Sequence, residues 1–240
     1  FPAEAKKNPP AADYGGAALL AAAVVGLMLA VTLFDWRPLI AVIAFLPAFL
    51  IRQRKAAAPL IPPGLLSSRP YRRGLMLGAL NASINFGVML LTPMLLRDAH
   101  GLGAEEIGLM LFPGAAAAAA VGYFGGRLID QKSAHAVFTA AAALTGAGLL
   151  FLSALSGYRV WAAAVFLILA NSGYMLMQPA LAKWVSNTLP EGRTGIGMGV
   201  YSMNNFLSTS LTGAAAAKAL ELAGAAGAHL PSAAGTAGSY

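Results

Sequence analysis

Three sets of uncharged polar residues recur at helical spacing inside stretches that are otherwise apolar. Asn81, Asn85 and Thr92 step by four and seven; Asn171, Tyr174 and Gln178 by three and four; Ser202, Asn205, Thr209 and Thr212 by three, four and three. Steps of three, four and seven put each set on one face of a helix. Amides and hydroxyls so arranged can hold a solute by neutral hydrogen bonds. Facing hydrocarbon they would be poorly satisfied, so each stripe is expected to face protein or a water-filled cavity. Interhelical bonding that only holds a bundle together is the other use of such residues. The candidate cavity-lining residues are Asn81, Asn85, Asn171, Tyr174, Gln178, Ser202, Asn205 and Thr209.

Groups suited to harder chemistry are missing from the same stretches. Glu4, Asp13, Asp35, Asp98, Glu105, Glu106, Asp130, Glu191 and Glu221 all fall in loops or at helix ends. A charge at the bilayer centre costs at least ~2.5 kcal/mol and would mark an ion path; this segment alone shows no proton relay. There is no cysteine, hence no disulfide and no thiolate metal site. His100, His135 and His229 sit near helix ends or in the C-terminal tail and do not converge on one depth, as a membrane-embedded enzyme would require. No catalytic group, metal or organic cofactor is expected.

The elements that must position the stripes follow from length. A helix rises ~1.5 Å per residue and the hydrocarbon core is ~30 Å thick, so about 20 apolar residues make one crossing. Seven stretches approach that length, at 15–33, 38–51, 74–96, 103–124, 136–155, 160–182 and 194–217, the second being the shortest. Of all residues 58% are hydrophobic and only 10% charged, and the apolar runs lack the polar half of an amphipathic stripe, which argues against a soluble helical protein. The predicted fold is an all-α integral membrane bundle. Pro47, Pro93, Pro113 and Pro179 lie within spans, and Gly195 and Gly199 form a small-xxx-small surface for close helix approach.

The net charge of +7 reports topology. With the N-terminus in the cytoplasm, the inner segments hold Lys6, Lys7, Arg52, Arg54, Lys55, Arg69, Arg72, Arg73, Arg127, Lys132, Lys183 and Arg193, and the outer ones Arg37, Arg97, Arg159 and Lys218. That asymmetry fixes an N-in orientation and gives no nucleic-acid stripe; the lipid bilayer is the expected partner, with incidental attraction of the stretch from Arg52 to Arg73 for anionic head groups. The organisation read from these joints is a cytoplasmic linker at 1–14, a transmembrane hairpin at 15–55, a basic Pro-containing cytoplasmic connection at 56–73, a five-helix bundle at 74–217 and an external loop at 218–240. A start at Phe1 without a signal peptide, and an odd number of crossings, lead to the expectation that sequence precedes this segment and that one more inward helix follows it.

Two stretches carry a resemblance. Gly126, Arg127, Leu128, Ile129, Asp130, Gln131 and Lys132 resemble a degenerate second copy of the G-x-L-x-D-R loop of the major facilitator superfamily, with Gln131 in place of the usual arginine and Ser133 in place of a frequent glycine. Arg193 to Met198, then Asn205, Phe206, Leu207, Ser208 and Gly213, resemble the penultimate helix of the fourteen-helix drug:proton antiporters, including the Gram-positive type of tetracycline exporter. Asp13 with Gly15 and Gly16 is similar to the entry into the seventh helix of that group.

The resemblance implies that the seven spans are helices seven to thirteen, the hairpin being the extra central pair and the bundle five of the six C-terminal helices. It further implies a cytoplasmic gate at Gly126, Arg127 and Asp130, and helix packing at Gly195, Gly199 and Gly213. The implied activity is proton-driven export of drugs or other amphiphilic molecules, of the kind that confers antibiotic resistance, with the proton gradient as driving force and no cofactor. The partners implied are a small-molecule substrate and an N-terminal half of the same polypeptide, which would hold the proton-carrying acid. Tetracycline-type exporters carry a membrane glutamate where this chain has Thr209, so a cationic metal–tetracycline complex would lose its matching charge. A metabolite, lipid or siderophore exporter on the same fold would share every feature above, and a structural or assembly subunit is the reading of another class.

Overall fold

The computed structural model describes residues 13–225 except 57, 58, 63, 156–159 and 191. Seven helices account for almost all of it: α1 (Tyr14–Leu33), α2 (Leu39–Lys55), α3 (Arg69–His100), α4 (Ala104–Gln131), α5 (Ala134–Leu155), α6 (Val160–Asn187) and α7 (Thr194–Ala225). No strand occurs among the described residues. Five of the helices, α1, α3, α4, α5 and α6, are long and apolar enough to cross a membrane. Of the two expected spans outside that set, α2 has only 17 residues. The other, α7, has the length but carries Ser202, Asn204, Asn205, Ser208, Thr209, Ser210 and Thr212 along its middle.

Most helices outrun the apolar stretches from which they are read. Arg69, Arg72 and Arg73 belong to the opening turns of α3, not to the preceding connection; Gly126 to Gln131 form the last turns of α4, not a loop; residues 218–225 continue α7 instead of opening an external loop. Hydropathy marks only where the lipid is. A helix continues past it for as long as its backbone bonds close and its polar side chains reach water. The outer part of the expected C-terminal loop, 226–240, and the expected linker up to residue 12 lie outside the described residues. The helices run unbroken through Pro47, Pro93, Pro113 and Pro179.

Local chemistry sets the boundaries. Asp13 caps α1, its Oδ1 accepting from Gly16 N at 2.8 Å, and α1 ends on Phe34, which takes the left-handed conformation at φ 50°. Glu106 Oε2 accepts from Gly103 N at 2.9 Å, and Glu105 and Glu106 place negative charge at the α4 N-terminus, where the helix dipole favours it. Ser133 Oγ accepts from Ala136 N at 3.2 Å and starts α5, a task that a glycine in its place would leave to water. Successive helices alternate in direction, so Asp13, Arg52, Arg69, Arg127, Lys183 and Arg193 gather at one end of the bundle, called here the basic end.

Helix α6 is the hub, packed on α3, α4 and α5 and touching α7, while α3 pairs with α7 and α1 with α2. These approaches are made at glycines. A Cβ on Gly173 would stand 2.8 Å from Ala141 O and 2.9 Å from Thr145 N of α5; one on Gly114 would stand 2.9 Å from Leu167 Cβ of α6; one on Gly148 would stand 3.2 Å from Ala170 N. The expected contact surface at Gly195 and Gly199 is not formed among the described residues: both are exposed, with nothing within 4 Å of an added Cβ. Gly197, rotated to the opposite side of α7, packs on Leu189 instead, and Gly213 meets Phe86 at 3.0 Å. The outward faces are apolar, with Met89, Phe112 and Leu150 all exposed, as lipid contact requires.

The connection between α2 and α3 does not lie loosely on the surface. Leu65 is buried in a cluster with Tyr71, Leu181, Val185 and Tyr201, Ile61 packs beside it, and Gln53 Nε2 of α2 donates to Ile61 O. Arg52 Nε donates to Asp13 Oδ1 at 2.8 Å and so closes the basic end of the α1/α2 hairpin. The guanidinium of Arg52, together with the Gly16 N–H, holds the Asp13 carboxyl below the usual carboxylate range.

Two outcomes test this packing. Gly173→Ala forces backbone apart and should cost ~1–3 kcal/mol, lowering the melting temperature of the detergent-solubilised protein by several degrees, whereas Gly199→Ala, in open space, should leave it unchanged; equal melting of both variants would contradict the α5/α6 contact. The second is a pH profile. Because the folded pKa of Asp13 lies below the ordinary value near 3.8, its stabilisation is present above that value and is lost as pH falls through the lower folded one. Wild type should therefore melt higher than Asp13→Asn at neutral pH, with the gap closing in acid; a gap constant from pH 7 down to the acid limit would rule the ion pair out as its source.

Candidate functional site

The three polar stripes meet. A recess of about 550 Å³ opens between α3, α6 and α7, lined by Asn85, Tyr174, Gln178, Ser202, Asn205 and Thr209 among apolar groups that include Phe86, Met198 and Phe206. No charged side chain lines it among the described residues. Six of the eight sequence-predicted cavity residues therefore share one space. The other two stand behind it. Asn81 and Asn171 line a crevice of about 10 Å³ between α3, α5 and α6, which shares Asn85 and Tyr174 with the recess. Asn81 Nδ2 donates to Gln178 Oε1 at 3.0 Å, joining the two spaces, and the Asn171 amide is pressed against α4, 2.8 Å from where a Cβ of Gly114 would be.

Backbone-directed bonds hold the walls in register. Tyr71 Oη donates to Gly197 O at 2.7 Å and Asn204 Nδ2 to Leu75 O at 2.9 Å, both joining α3 to α7. Along α7 the hydroxyls of Ser208, Thr209 and Thr212 donate to the carbonyls of Asn204, Asn205 and Ser208 at 2.8, 2.9 and 2.8 Å. Such bonds to the fourth residue back satisfy a hydroxyl within its own helix and tend to bend it. Thr209 and Thr212 thus keep only acceptor capacity for anything else.

The residues expected to form a gate lie at the basic end. Asp130 Oδ1 pairs with Lys183 Nζ of α6 at 2.9 Å, and the same ammonium donates to Ile129 O at 3.1 Å. Arg127 is exposed and, with Gln131, rims a second opening of about 490 Å³ on the α4/α6 flank whose other lining residues are apolar. Gly126 faces open space among the described residues; the close approach to α6 is made one residue earlier, where Gly125 meets Leu176. Sequence reasoning missed Lys183 as the partner of Asp130, and it missed Tyr201, buried on the recess wall at 3% exposure. A signal for Tyr201 was present, since it lies four residues before Asn205 on the same face; for Lys183, 53 residues from Asp130, there was none. No group of acidic and imidazole side chains able to hold a metal occurs among the described residues.

Comparison with known proteins completes the site's context. The family model described as Major Facilitator Superfamily matches residues 13–213. The chain is also similar to YvkA of Bacillus subtilis (strain 168), an uncharacterized MFS-type transporter, with 24% identity over 222 residues that cover 88% of this chain and 48% of the relative. The chain spans about half the length of the curated relative it matches. The family match runs from the residue that caps α1 into the second half of α7 and so takes in every helix that walls the recess: this multi-pass membrane chain belongs to the Major Facilitator Superfamily.

Proposed function

We propose that this chain is part of a secondary transporter that exports drugs or other amphiphilic small molecules across the cytoplasmic membrane, driven by proton entry. One observation carries the reading. In a bundle whose outward faces are apolar, amides and hydroxyls from α3, α6 and α7 converge on one recess of a volume suited to a small organic molecule. Apolar neighbours supply shape and contact area, and the polar groups orient the solute. The family supports transport over catalysis, since the similar protein is named a transporter. An exporter of a metabolite, lipid or siderophore would use the same wall; transport assays with competing substrates separate the two.

The remaining parts of the mechanism fit this half into a whole. Transporters of this kind rock two bundles about a midplane site, so the recess supplies one wall and an N-terminal half of the same polypeptide the other. The basic end faces the cytoplasm by the positive-inside rule. No acidic side chain lines the recess among the described residues, which favours a proton-carrying acid on the opposite half. Asp130 and Lys183 form an exposed pair, worth about 0–1 kcal/mol, and a contact that weak can be made and broken in each cycle. It ties the end of α4 to α6, as a gate element would.

The substitutions that test the wall and the gate differ in their signature. In the full-length protein, Gln178→Ala and Asn205→Ala should each lower efflux or shift the substrate profile about fivefold, the equivalent of one net hydrogen bond, at unchanged membrane abundance; reduced abundance with unchanged transport per molecule would make them packing residues. Asp130→Asn should slow turnover several-fold for all substrates alike, read by initial efflux rates for at least two unrelated compounds. A substrate-selective effect at Asp130 would remove it from the gate.

A further inference from the structure

The opening of about 490 Å³ on the α4/α6 flank serves no step of the transport cycle proposed above. Its apolar lining, Ala120, Val121, Phe124, Leu128 and Leu176, leads to two exposed polar residues at the basic end, Arg127 and Gln131. Gly125 makes it a groove. A Cβ there would stand 2.6 Å from Leu176 Cδ2, so the missing side chain lets Leu176 of α6 form the floor. The groove opens away from the recess. Leu176 is two residues from both Tyr174 and Gln178, which line the recess, and at ~100° per residue it lies ~160° round α6 from each. Whatever closes the recess therefore stands on the other side of α6. Tyr123, Phe124 and Leu128 are exposed on the flank itself, the mark of a surface that meets hydrocarbon.

Depth and charge say what fits the groove. Helix α4 rises ~16 Å between Gln131 and Ala120, and one leaflet of a ~30 Å hydrocarbon core is ~15 Å deep. The groove thus runs from head-group level to the middle of the bilayer, the course of one acyl chain. Arg127 stands at its head-group end. It has no ion pair among the described residues, and the nearby Asp130 is engaged by Lys183 Nζ at 2.9 Å. Its long stem can lie along apolar surface while the guanidinium fork meets two oxygens of a phosphate. The Gln131 amide adds neutral donors at the same level, and no acidic residue lines the groove among the described residues. A free phosphate would use the rim and leave the apolar length unfilled.

We propose that this groove holds an anionic phospholipid of the leaflet at the basic end, with its phosphate on Arg127 and Gln131 and one acyl chain along Phe124, Val121 and Ala120. The site stands apart from the recess and does not depend on what the recess carries.

Native mass spectrometry of the full-length protein in detergent tests it, with phosphatidylglycerol and phosphatidylcholine of identical chains offered in equal amounts. The first lipid bound should be phosphatidylglycerol by about fivefold, the order for one basic side chain meeting an anionic head group. Arg127→Gln should bring that ratio to within about twofold. Lys132→Gln, which removes an exposed charge at the same end but outside the groove, should leave it unchanged. Ala120→Phe, which fills the deep end and keeps the charge, should weaken phosphatidylglycerol binding several-fold. All three positions are exposed, so the variants should melt with wild type in lipid-free detergent. Equal binding of the two lipids, or a preference that Lys132→Gln lowers as much as Arg127→Gln, overturns the proposal in favour of diffuse surface charge. Sensitivity to Arg127→Gln with Ala120→Phe binding as wild type also overturns it, since the phosphate would then bind without a chain in the groove. So does a protein that holds no lipid either substitution displaces, the result expected if a helix of the N-terminal half or a second copy covers the flank. None of these outcomes bears on the transport reading, which the efflux assays test.

Discussion

The structure depends on how closely α6 can approach its neighbours. In lipid there is no hydrophobic gain from bringing two apolar helices together, because the displaced tails are as apolar as the side chains. Association rests on dispersion contacts at short range and on the few polar bonds that short range permits. Here the range is set by missing side chains. Gly173 and Gly148 bring α5 against α6, Gly114 and Gly125 bring α4, and Gly74 brings α3 against Val185. Larger residues at these points would hold the helices apart and leave voids that neither lipid nor water fills well.

Close approach in turn decides which polar groups meet. Asn81 and Gln178 reach each other because α3 sits against α6, and Asn204 reaches Leu75 O because α7 crosses α3 at Gly78. Each such bond is worth well under ~2 kcal/mol in a membrane, too little to drive assembly but enough to fix rotation about the helix axis. Rotation is the quantity that matters for the recess. Turning α7 by one residue, ~100°, would point Asn205 and Ser202 away from the recess and bring other residues into it.

This is also why the sequence was legible to a point and no further. Apolar length announced seven helices, and three- and four-residue steps placed Asn85, Tyr174, Gln178, Ser202 and Asn205 on faces that do line one space. Helix ends were misjudged by several residues because hydropathy reports the lipid and not the hydrogen-bond ladder. Gly213 does pack, on Phe86, but Gly195 and Gly199 meet nothing among the described residues, for a different reason. Gly195, Gly197 and Gly199 are equally small, and only the position of Leu189 makes the middle one the contact. Nor does any local pattern reveal that Tyr71 would bond Gly197, 126 residues away, or that Lys183 would meet Asp130. Those contacts belong to the packing of the bundle, which one chain's periodicity does not contain.

Charge and the polar recess are kept apart along the membrane normal. The ion pairs Asp13–Arg52 and Asp130–Lys183 both stand at the basic end, the second of them open to water, while among the described residues the recess is lined by amides, hydroxyls and apolar groups alone. A fixed charge in the recess would demand a partner of opposite sign and would penalise every empty or mismatched state by the cost of burying it. Neutral groups bind more weakly, but they can be left to water at small cost when the solute departs. For a site of the kind proposed, which would have to release what it holds, modest and reversible satisfaction is the more useful property.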